Sequence, residues 1–357
     1  MSGRHLRRPR AWWFRRAVIA VGVLALGAGV GAGIALLSEG DGGDVAALGD
    51  GSARLVPRPG PITIALGGEV QAGDVLGGRL FAGQDPIGPF ADVLAEADLA
   101  VVGLSAAVVD EDPADPGGAA WVPATVLDGL ETAGADVISL ANDRALDLGP
   151  AGRDRTLGLV AGRRAAVAGI GVDEHDAYAP AVRTVGGARV AVLAATQDLD
   201  PARIATDTAG PAQPGVASAK RVDRLVAEVE ATAEEADVVV VYLHWGQEGE
   251  TCPGAGQREL AAALIEAGAD VVAGPGAGGV QGAGRSGPAV VAYGLGTLVG
   301  DGAGEAGTLA VDVEDGEVTS WRWVAGRVVG GVAEPVDADE AVTADLDARQ
   351  ACAGLGP

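Results

Sequence analysis

The sequence is poor in aromatic residues, histidine and lysine. Aromatic residues make up 3% of the 357 residues, histidine occurs three times, and Lys220 is the single lysine. Since 48% of the residues are hydrophobic, the chain can bury a large core, and this core must consist of Val, Leu, Ile and Ala. Such a composition is typical of stacked strands and helices.

Several catalytic motifs are also absent. The chain has no G-x-S-x-G nucleophile elbow, no H-E-x-x-H helix and no C-x-x-C pair. A catalytic triad would have to use His244, because His5 lies in the N-terminal arm and His175 lies in a polar segment. These absences exclude serine hydrolases of the elbow type, zincin proteases and dithiol oxidoreductases.

Basic residues are scarce, and the formal net charge is −24. The first 37 residues hold six arginines and no acid, so the remainder carries −30. A domain this acidic repels nucleic acid, which we exclude as a partner, and it repels other polyanions unless a basic patch or a cation intervenes. Genome composition or a saline habitat would explain the same surface without any partner.

The N-terminus has the pattern of a membrane anchor. Residues 1–16 form a basic arm, and residues 17–37 carry no charge over 21 positions. An uncharged run of this length can cross a bilayer as one helix, and the arginines favour a cytoplasmic arm. We therefore expect a single-pass protein of the cell membrane, anchored through residues 17–37, with its C-terminal body outside the cytoplasm. A cleaved signal peptide is the alternative.

The rest of the chain divides into a linker, a domain and a tail. Residues 38–60 are rich in Gly, Asp and Pro, which predicts a linker. Strand and helix patterns alternate over residues 61–334, which predicts an α/β domain, and an acidic tail follows at residues 335–357. Apolar strand patterns occupy 62–66, 99–102, 136–140, 165–170, 188–195, 237–243, 269–273 and 288–293.

Local signals add detail to the predicted domain. A first-turn proline and a closing glycine predict a helix over residues 123–133, and Ser218 is a candidate cap for the next one. Residues 309–313 and 318–324 flank an Asp-Gly pair, which predicts a hairpin. Cys252 and Cys352 are both expected outside the reducing cytosol, so a disulfide between them is predicted.

Polar motifs follow several of the predicted strands. Asp136-Val-Ile-Ser-Leu-Ala-Asn142-Asp143-Arg144-Ala145-Leu146-Asp147-Leu148-Gly149 is the longest, and Leu243-His244-Trp245-Gly246-Gln247-Glu248 ends another strand. Gly-rich loops follow at 274–281 and 294–297. These segments resemble the CapA-type family of poly-γ-glutamate capsule synthesis proteins, whose fold is metallophosphatase-like. The resemblance implies a four-layer α/β/β/α sandwich, with two sheets flanked by helices.

The resemblance also implies which residues would hold metal. Glu69 stands where the family has an aspartate ligand, Gly103 and Ser105 stand where it has Asn and Glu, and Thr297 replaces an Asn. The loop at 274–281 lacks the family's histidines. In the family's N-N-H motif this chain reads Asn142-Asp143-Arg144, whereas His244 matches. A serine hydroxyl is a poor ligand for a hard cation.

Two interpretations of these residues remain open. Arg144 supplies positive charge to a bound anion, or it pairs with Glu69 or Asp143 and fills a vacated metal pocket. His244 is a catalytic residue and metal ligand, or a hydrogen-bonded structural residue. Glu69, Asn142, Asp143 and His244 would hold a single Mn²⁺, Mg²⁺ or Zn²⁺ at most, because two ions need more donors.

The leading hypothesis is a membrane-anchored CapA-like pseudoenzyme without a cofactor. It would bind membrane proteins of capsule or envelope polymer synthesis. The first alternative is a phosphoesterase or other hydrolase with one metal ion, and the second is a rigid acidic spacer in the envelope.

Overall fold

The computed structural model describes residues 59–114, 117–276 and 279–357. No helix within these residues is long and apolar enough to cross a membrane. The predicted basic arm (1–16), the predicted transmembrane helix (17–37) and most of the predicted linker (38–58) lie outside the described residues, so these expectations stay predictions.

Short helices and strands alternate along the described chain. The helices are α1 Asp74–Phe81, α2 Phe90–Ala95, α3 Thr125–Thr132, α4 Gly149–Val160, α5 Glu174–Tyr178, α6 Ile204–Asp207, α7 Val222–Ala233, α8 Ala255–Ala267 and α9 Glu340–Ala353. The strands are β1 Ile62–Gln71, β2 Leu99–Ser105, β3 Ala107–Val109, β4 Trp121–Pro123, β5 Val137–Ser139, β6 Ala166–Ala168, β7 Ile170–Gly171, β8 Ala181–Val185, β9 Ala188–Thr196, β10 Gly215–Val216, β11 Val238–His244, β12 Val271–Ala273, β13 Ala283–Ser286, β14 Ala289–Ala292, β15 Thr297–Val299, β16 Gly304–Glu314, β17 Glu317–Val329 and β18 Val332–Pro335.

The larger sheet has eight strands in the order β15-β18-β17-β16-β1-β2-β5-β6. Strands β1, β2, β5 and β6 run parallel, and the β16–β17 hairpin joins β1 antiparallel. Near its end β1 also pairs with β15, so Glu69 lies between Gly103 of β2 and Thr297 of β15. This register places three of the motif positions side by side.

The smaller sheet has six strands in the order β13-β14-β12-β11-β9-β8. Strands β9, β11, β12 and β14 are parallel, with an antiparallel strand at each edge. Two further two-stranded sheets pair β3 with β4 and β7 with β10. The parallel strands of both large sheets therefore deliver the loops that follow them to sheet edges, where the polar motifs begin.

Four aspartates fix the register of the parallel strands. Each immediately precedes a strand, and its carboxylate accepts a hydrogen bond of 2.8–2.9 Å from a backbone N–H of the neighbouring strand. The four pairs are Asp98 with Thr63, Asp136 with Ala100, Asp237 with Arg189, and Asp270 with Val239. These bonds satisfy N–H groups at the sheet ends that would otherwise lack partners.

Three apolar clusters show the layer order. One fills the space between the larger sheet and helices α1 to α3, a second lies between the two sheets, and a third lies between the smaller sheet and helices α7 and α8. Within β2, Val101 faces the second cluster and Val102 the first, as alternation along a strand requires. The described domain is therefore a mixed α/β sandwich with helices outside both sheets.

The predicted hairpin forms, with Asp315 and Gly316 in its turn. Their φ angles are 53° and 79°, the left-handed values that a two-residue hairpin turn needs. The predicted helix at 123–133 is shorter than expected, because Pro123 ends β4 and the helix begins at Thr125.

Ser218 does not cap a helix, contrary to the prediction. Helix α7 begins at Val222 after Arg221. Ser218 is instead held in extended backbone, because it bridges to Thr196 and its N–H and C=O both bond the Tyr178 hydroxyl. Its backbone partners, rather than its hydroxyl, decide its role.

Most of the segment predicted as an acidic tail is helix α9, which packs on the domain. Asp339 caps it by accepting from the N–H of Val342, and Gly354 closes it in the left-handed conformation with φ 72°. A disulfide joins Cys352, in its last turn, to Cys252 in the loop after His244, with the two Cα atoms 5.9 Å apart.

Candidate functional site

Polar side chains from both sheets converge where the parallel strands end. Ser105 and His244 are the last residues of β2 and β11, and Glu69 lies near the end of β1. Asp143 and Asp198 come from the loops after β5 and β9. Binding sites of α/β sheets commonly form at the carboxyl ends of parallel strands, so this is the candidate site.

The centre of the site is a buried pair of His244 and Glu69. His244 Nε2 lies 3.3 Å from Glu69 Oε1, and the two side chains are 12% and 6% exposed. The other carboxylate oxygen accepts a 2.9 Å hydrogen bond from Gln71 Nε2, and the Ser105 hydroxyl donates to the same carboxylate. Glu69 therefore already has three hydrogen-bond donors.

Mutual attraction keeps both members of the pair charged. Burial opposes the charged imidazole, but Glu69, helped by Asp143 and Asp198, outweighs it and raises the pKa of His244 from 6.5 to about 9. Burial also opposes the Glu69 carboxylate, yet the His244 charge and the hydrogen bonds hold the pKa of Glu69 below its ordinary value. At neutral pH the centre of the site is thus an ion pair.

Asp143 and Asp198 lie close to the same imidazole. One potential ligand atom from each of Asp143, Asp198 and His244 lies within 4.8 Å of the others. Burial raises the pKa of Asp143, and the neighbouring carboxylates of Asp198 and Glu69 add to this effect, against the opposing charge of His244. Two carboxylates and a histidine at this spacing can hold a hard divalent cation once the cation displaces a proton from the imidazole, because a ligating nitrogen needs a free lone pair.

Asn142 has a structural role that uses both polar atoms of its amide. Its Nδ2 donates to the Leu104 carbonyl at 2.8 Å, and its Oδ1 accepts from the N–H groups of Arg144 and Ala145 at 3.0 and 2.9 Å. The side chain ties the loop after β5 to the end of β2. The structure therefore does not bring Asn142 into the donor set with Asp143 and His244.

Arg144 pairs with neither Glu69 nor Asp143. Its Nε lies 3.2 Å from Asp147 Oδ2, and its side chain is 47% exposed. Asp147 also accepts from Arg203 Nη1 at 3.0 Å, so one carboxylate holds both guanidinium groups. Arg144 therefore does not fill the pocket with an ion pair, and its other interpretation, a positive charge for a bound anion, stays a prediction.

Glu69, His244 and the Thr196 hydroxyl are arranged in the same sequence of contacts as the acid, base and nucleophile of a catalytic triad. The similarity does not extend to function. His244 Nδ1 lies 3.4 Å from Thr196 Oγ1, on the side opposite to Glu69. The threonine is fully buried, and its Oγ1 both donates to the Asp198 carbonyl and accepts from the Asp198 N–H at 3.0 Å. This hydroxyl shapes the turn that presents Asp198 and cannot reach a substrate.

Comparison with known proteins identifies the family. The model of the bacterial capsule synthesis protein PGA_cap matches residues 42–302. The chain belongs to this family. Over 149 residues it is 32% identical to the capsule biosynthesis protein CapA of Bacillus anthracis, which is 41% of this chain and 35% of that protein.

A second relative and a solved structure are also similar to this chain. The PGA biosynthesis protein CapA of Bacillus subtilis (strain 168) is 34% identical over 143 residues, 39% of this chain and 35% of that protein. The chain thus matches about a third of the length of both curated relatives. A putative 5'-nucleotidase from Staphylococcus aureus in complex with alpha-ketoglutarate has a TM-score of 0.45 at 15% identity, over 82% of this chain and 58% of that one. The family assignment rests on the sequence matches.

Gly103 and Gly276 stand at two positions where the resemblance implied a ligand side chain, and neighbouring groups occupy the space there. A Cβ on Gly103 would lie 3.2 Å from the Tyr242 hydroxyl and 3.5 Å from Pro275. A Cβ on Gly276 would lie 2.9 Å from the Tyr293 carbonyl oxygen, closer than real Cβ contacts come. The loop after β12 packs closely against its neighbours at Gly276, so a longer side chain there would need the backbone to move.

The donor set fits one divalent cation and does not fit two. Asp143, Asp198 and His244 offer ligand atoms within 4.8 Å of one another, and a cation there would displace a proton from the charged His244. Glu69 is hydrogen-bonded to three donors, and Asn142 Oδ1 already accepts from two backbone N–H groups. Two ions about 4 Å apart need many more converging donors. Sequence reasoning missed Asp198, although an acid two residues after a buried parallel strand was the signal that could have indicated it.

Proposed function

We propose that this PGA_cap-family chain acts in the assembly of a capsule or envelope polymer of the poly-γ-glutamate type, without two-metal hydrolysis. Membership of the family and the names of the two CapA relatives support the process. The buried Glu69–His244 ion pair is the observation that supports the absence of two-metal hydrolysis. Its carboxylate satisfies the imidazole, Gln71 and Ser105, so it is not free to complete a dinuclear centre.

The second candidate function is that of a hydrolase with one cation bound by Asp143, Asp198 and His244. The spacing of those three residues favours it. A divalent ion held there would polarise an anionic oxygen of a ligand. It would also offset the repulsion between a chain of net charge −24 and an anionic polymer. The metallophosphatase-like fold of the family agrees with either function.

Metal titration of the purified chain tests whether Asp143, Asp198 and His244 hold one cation. With Mn²⁺, Mg²⁺ or Zn²⁺ we expect at most one ion per chain, and we expect Asp198→Asn and Asp143→Asn each to weaken binding about tenfold or more, because each removes a charged oxygen donor. Glu248→Gln, in an exposed position of the next loop, is the matched control and should bind as the parent does. Elemental analysis and calorimetry give the stoichiometry.

Catalysis is tested on the same samples with a phosphodiester substrate. We expect no hydrolysis of the phosphodiester that depends on His244. Two ions per chain, together with turnover that His244→Ala abolishes, would overturn it. One ion with His244-dependent turnover would establish the one-metal hydrolase instead.

Membrane attachment and partners complete the proposal. Residues 17–37 would anchor the chain, with the domain outside the cytoplasm, because the uncharged run follows a cluster of arginines. The N-terminal mass of the mature protein distinguishes an anchor from a cleaved signal peptide. Crosslinking in cells should capture membrane proteins of polymer synthesis, whereas capture of nonspecific neighbours alone would favour the acidic spacer.

A further inference from the structure

Helix α9 holds a loop of the candidate site through one buried arginine. Arg349 is 8% exposed, and its Nη1 donates to the Val280 carbonyl at 2.6 Å and to Glu305 at 2.7 Å. Its Nη2 pairs with Asp345 at 2.6 Å. Val280 follows the Gly-rich loop after β12, so the C-terminal helix is attached to the chain segment that leaves this loop.

The same helix holds a second loop covalently. Cys352 is bonded to Cys252, in the loop that begins after His244. The loop is attached to Gln281 as well, since Gln281 Nε2 donates to the carbonyls of Glu250 and Cys252 at 3.1 and 3.3 Å. Helix α9 therefore connects segment 280–282 with segment 246–252, which begins two residues after His244.

The two attachments differ in what can break them. The Arg349 contacts are buried and do not respond to thiols. Both cysteine residues are exposed, so a thiolate can reach the disulfide, and accessible disulfides are the ones that are reduced most readily. His244 itself is fixed separately, because the next residue, Trp245, is buried and its Nε1 donates to the Tyr293 carbonyl at 2.8 Å.

We propose that the Cys252–Cys352 disulfide is a redox-sensitive link that holds segment 246–252 in place. Reduction of the disulfide makes this segment more mobile, while β11, the strand that carries His244, stays folded. A dithiol supplies two electrons and two protons, the Sγ–Sγ bond breaks, and two thiols form while the dithiol becomes a disulfide. The inference goes beyond the proposed function, since it concerns the loop that follows His244 whether or not a cation binds at the site.

Amide hydrogen exchange of the full chain tests the proposal with dithiothreitol as reductant. On reduction we expect the amide of Glu250, which donates to the Gln247 carbonyl within segment 246–252, to exchange about tenfold faster or more, and the change should reverse on reoxidation. Amides of β11 should keep their protection, which shows that the fold is intact. Unchanged exchange in segment 246–252, or loss of β11 protection at the same time, would overturn the proposal.

Two variants separate the disulfide from other effects of the reductant. The double variant Cys252→Ser/Cys352→Ser should exchange in segment 246–252 like the reduced parent and should not respond to dithiothreitol. Arg349→Met should leave α9 protected while the disulfide is intact and release it on reduction, whereas Arg221→Met, which removes an ion pair to Glu174 elsewhere, should not. A double Ser variant as protected as the oxidised parent would contradict the proposal.

Discussion

Among single residues, Glu69 has the largest effect on the charge of the site. Its carboxylate is the first attractive cause of the rise in the His244 pKa to about 9. Glu69→Gln keeps the shape and removes the charge, so burial should then bring the pKa of His244 back toward or below 6.5. The imidazole resonances of His244, followed by NMR against pH, measure this. Glu248→Gln, in the exposed loop after His244, is the control and should leave the pKa near 9.

The same pair predicts how stability depends on pH. The folded-state pKa of His244 lies above its ordinary value of 6.5, so the stability it contributes is complete below pH 6.5 and is lost as pH rises through about 9. The pKa of Glu69 is lowered from 4.5, so its contribution is present above that value and is lost as pH falls further.

The stability difference between the parent and Glu69→Gln should therefore be greatest between about pH 5 and 6.5 and shrink by pH 10. A shift from 6.5 to about 9 corresponds to a difference on the order of 3 kcal/mol in the free energy of unfolding. Urea unfolding across this range gives the difference. A constant difference from pH 6 to pH 10 would show that His244 is not charged in the folded chain.

The sequence predicted His244 and Asp143 as site residues, and the structure brings them together with Asp198. It could not predict that Asn142 is used by its own loop, because the partner carbonyl of Leu104 is distant in the sequence. It also could not decide between the partners of Arg144, since the choice of Asp147 depends on how the loop turns after β5. Side-chain direction in a loop is a tertiary property, and residue type does not reveal it.

At the scale of elements, strand β1 reaches the site only because its backbone at Gly68 lies very close to the backbone of Gly296. A Cβ there would lie 2.2 Å from the backbone oxygen of Gly296, which no relaxation of a side chain can relieve. We expect Gly68→Ala to lower the free energy of unfolding by about 3 kcal/mol or more. The neighbouring Glu69 would be displaced as well, so the pKa of His244 should also fall.

Gly77→Ala is the matched control for this prediction. Gly77 lies on the exposed face of helix α1, and a Cβ there meets nothing within 4 Å. Alanine favours helix over glycine, so this variant should be more stable than the parent by about 0.5–1 kcal/mol. Denaturant midpoints of the two variants measure both effects, and equal losses in the two would show that Gly68 is not under steric constraint.

Apolar runs predicted the buried strands well, because parallel strands between two layers must be apolar on both faces. The recurrent Asp before these runs is explained only by the structure, where Asp98 and Asp136 bond to the adjacent strand. The extent of α9 could not be read from hydrophobic periodicity. Its attachment depends on Arg349 and Cys352, which contact residues far away in the sequence.

For the whole molecule, the net charge of −24 opposes the compact state that the three apolar clusters favour. Like charges repel one another across the surface of the folded chain, and they repel less when the chain unfolds and expands. Salt shortens the distance over which this repulsion acts, from about 30 Å at 0.01 M to about 3 Å at 1 M ionic strength. The folded state should therefore gain more from salt than the unfolded state does.

We accordingly expect the melting temperature of the chain to rise by about 5 °C between 0.01 M and 1 M NaCl, a gain of roughly 1–2 kcal/mol. A variant with Glu96→Gln, Glu259→Gln and Asp347→Asn, three exposed positions on separate helices or their ends, carries three fewer negative charges. Its melting temperature should be higher at low salt and rise less with NaCl. Parallel slopes for parent and variant would mean that salt acts through solvent exclusion, because that effect does not depend on the acids of the surface.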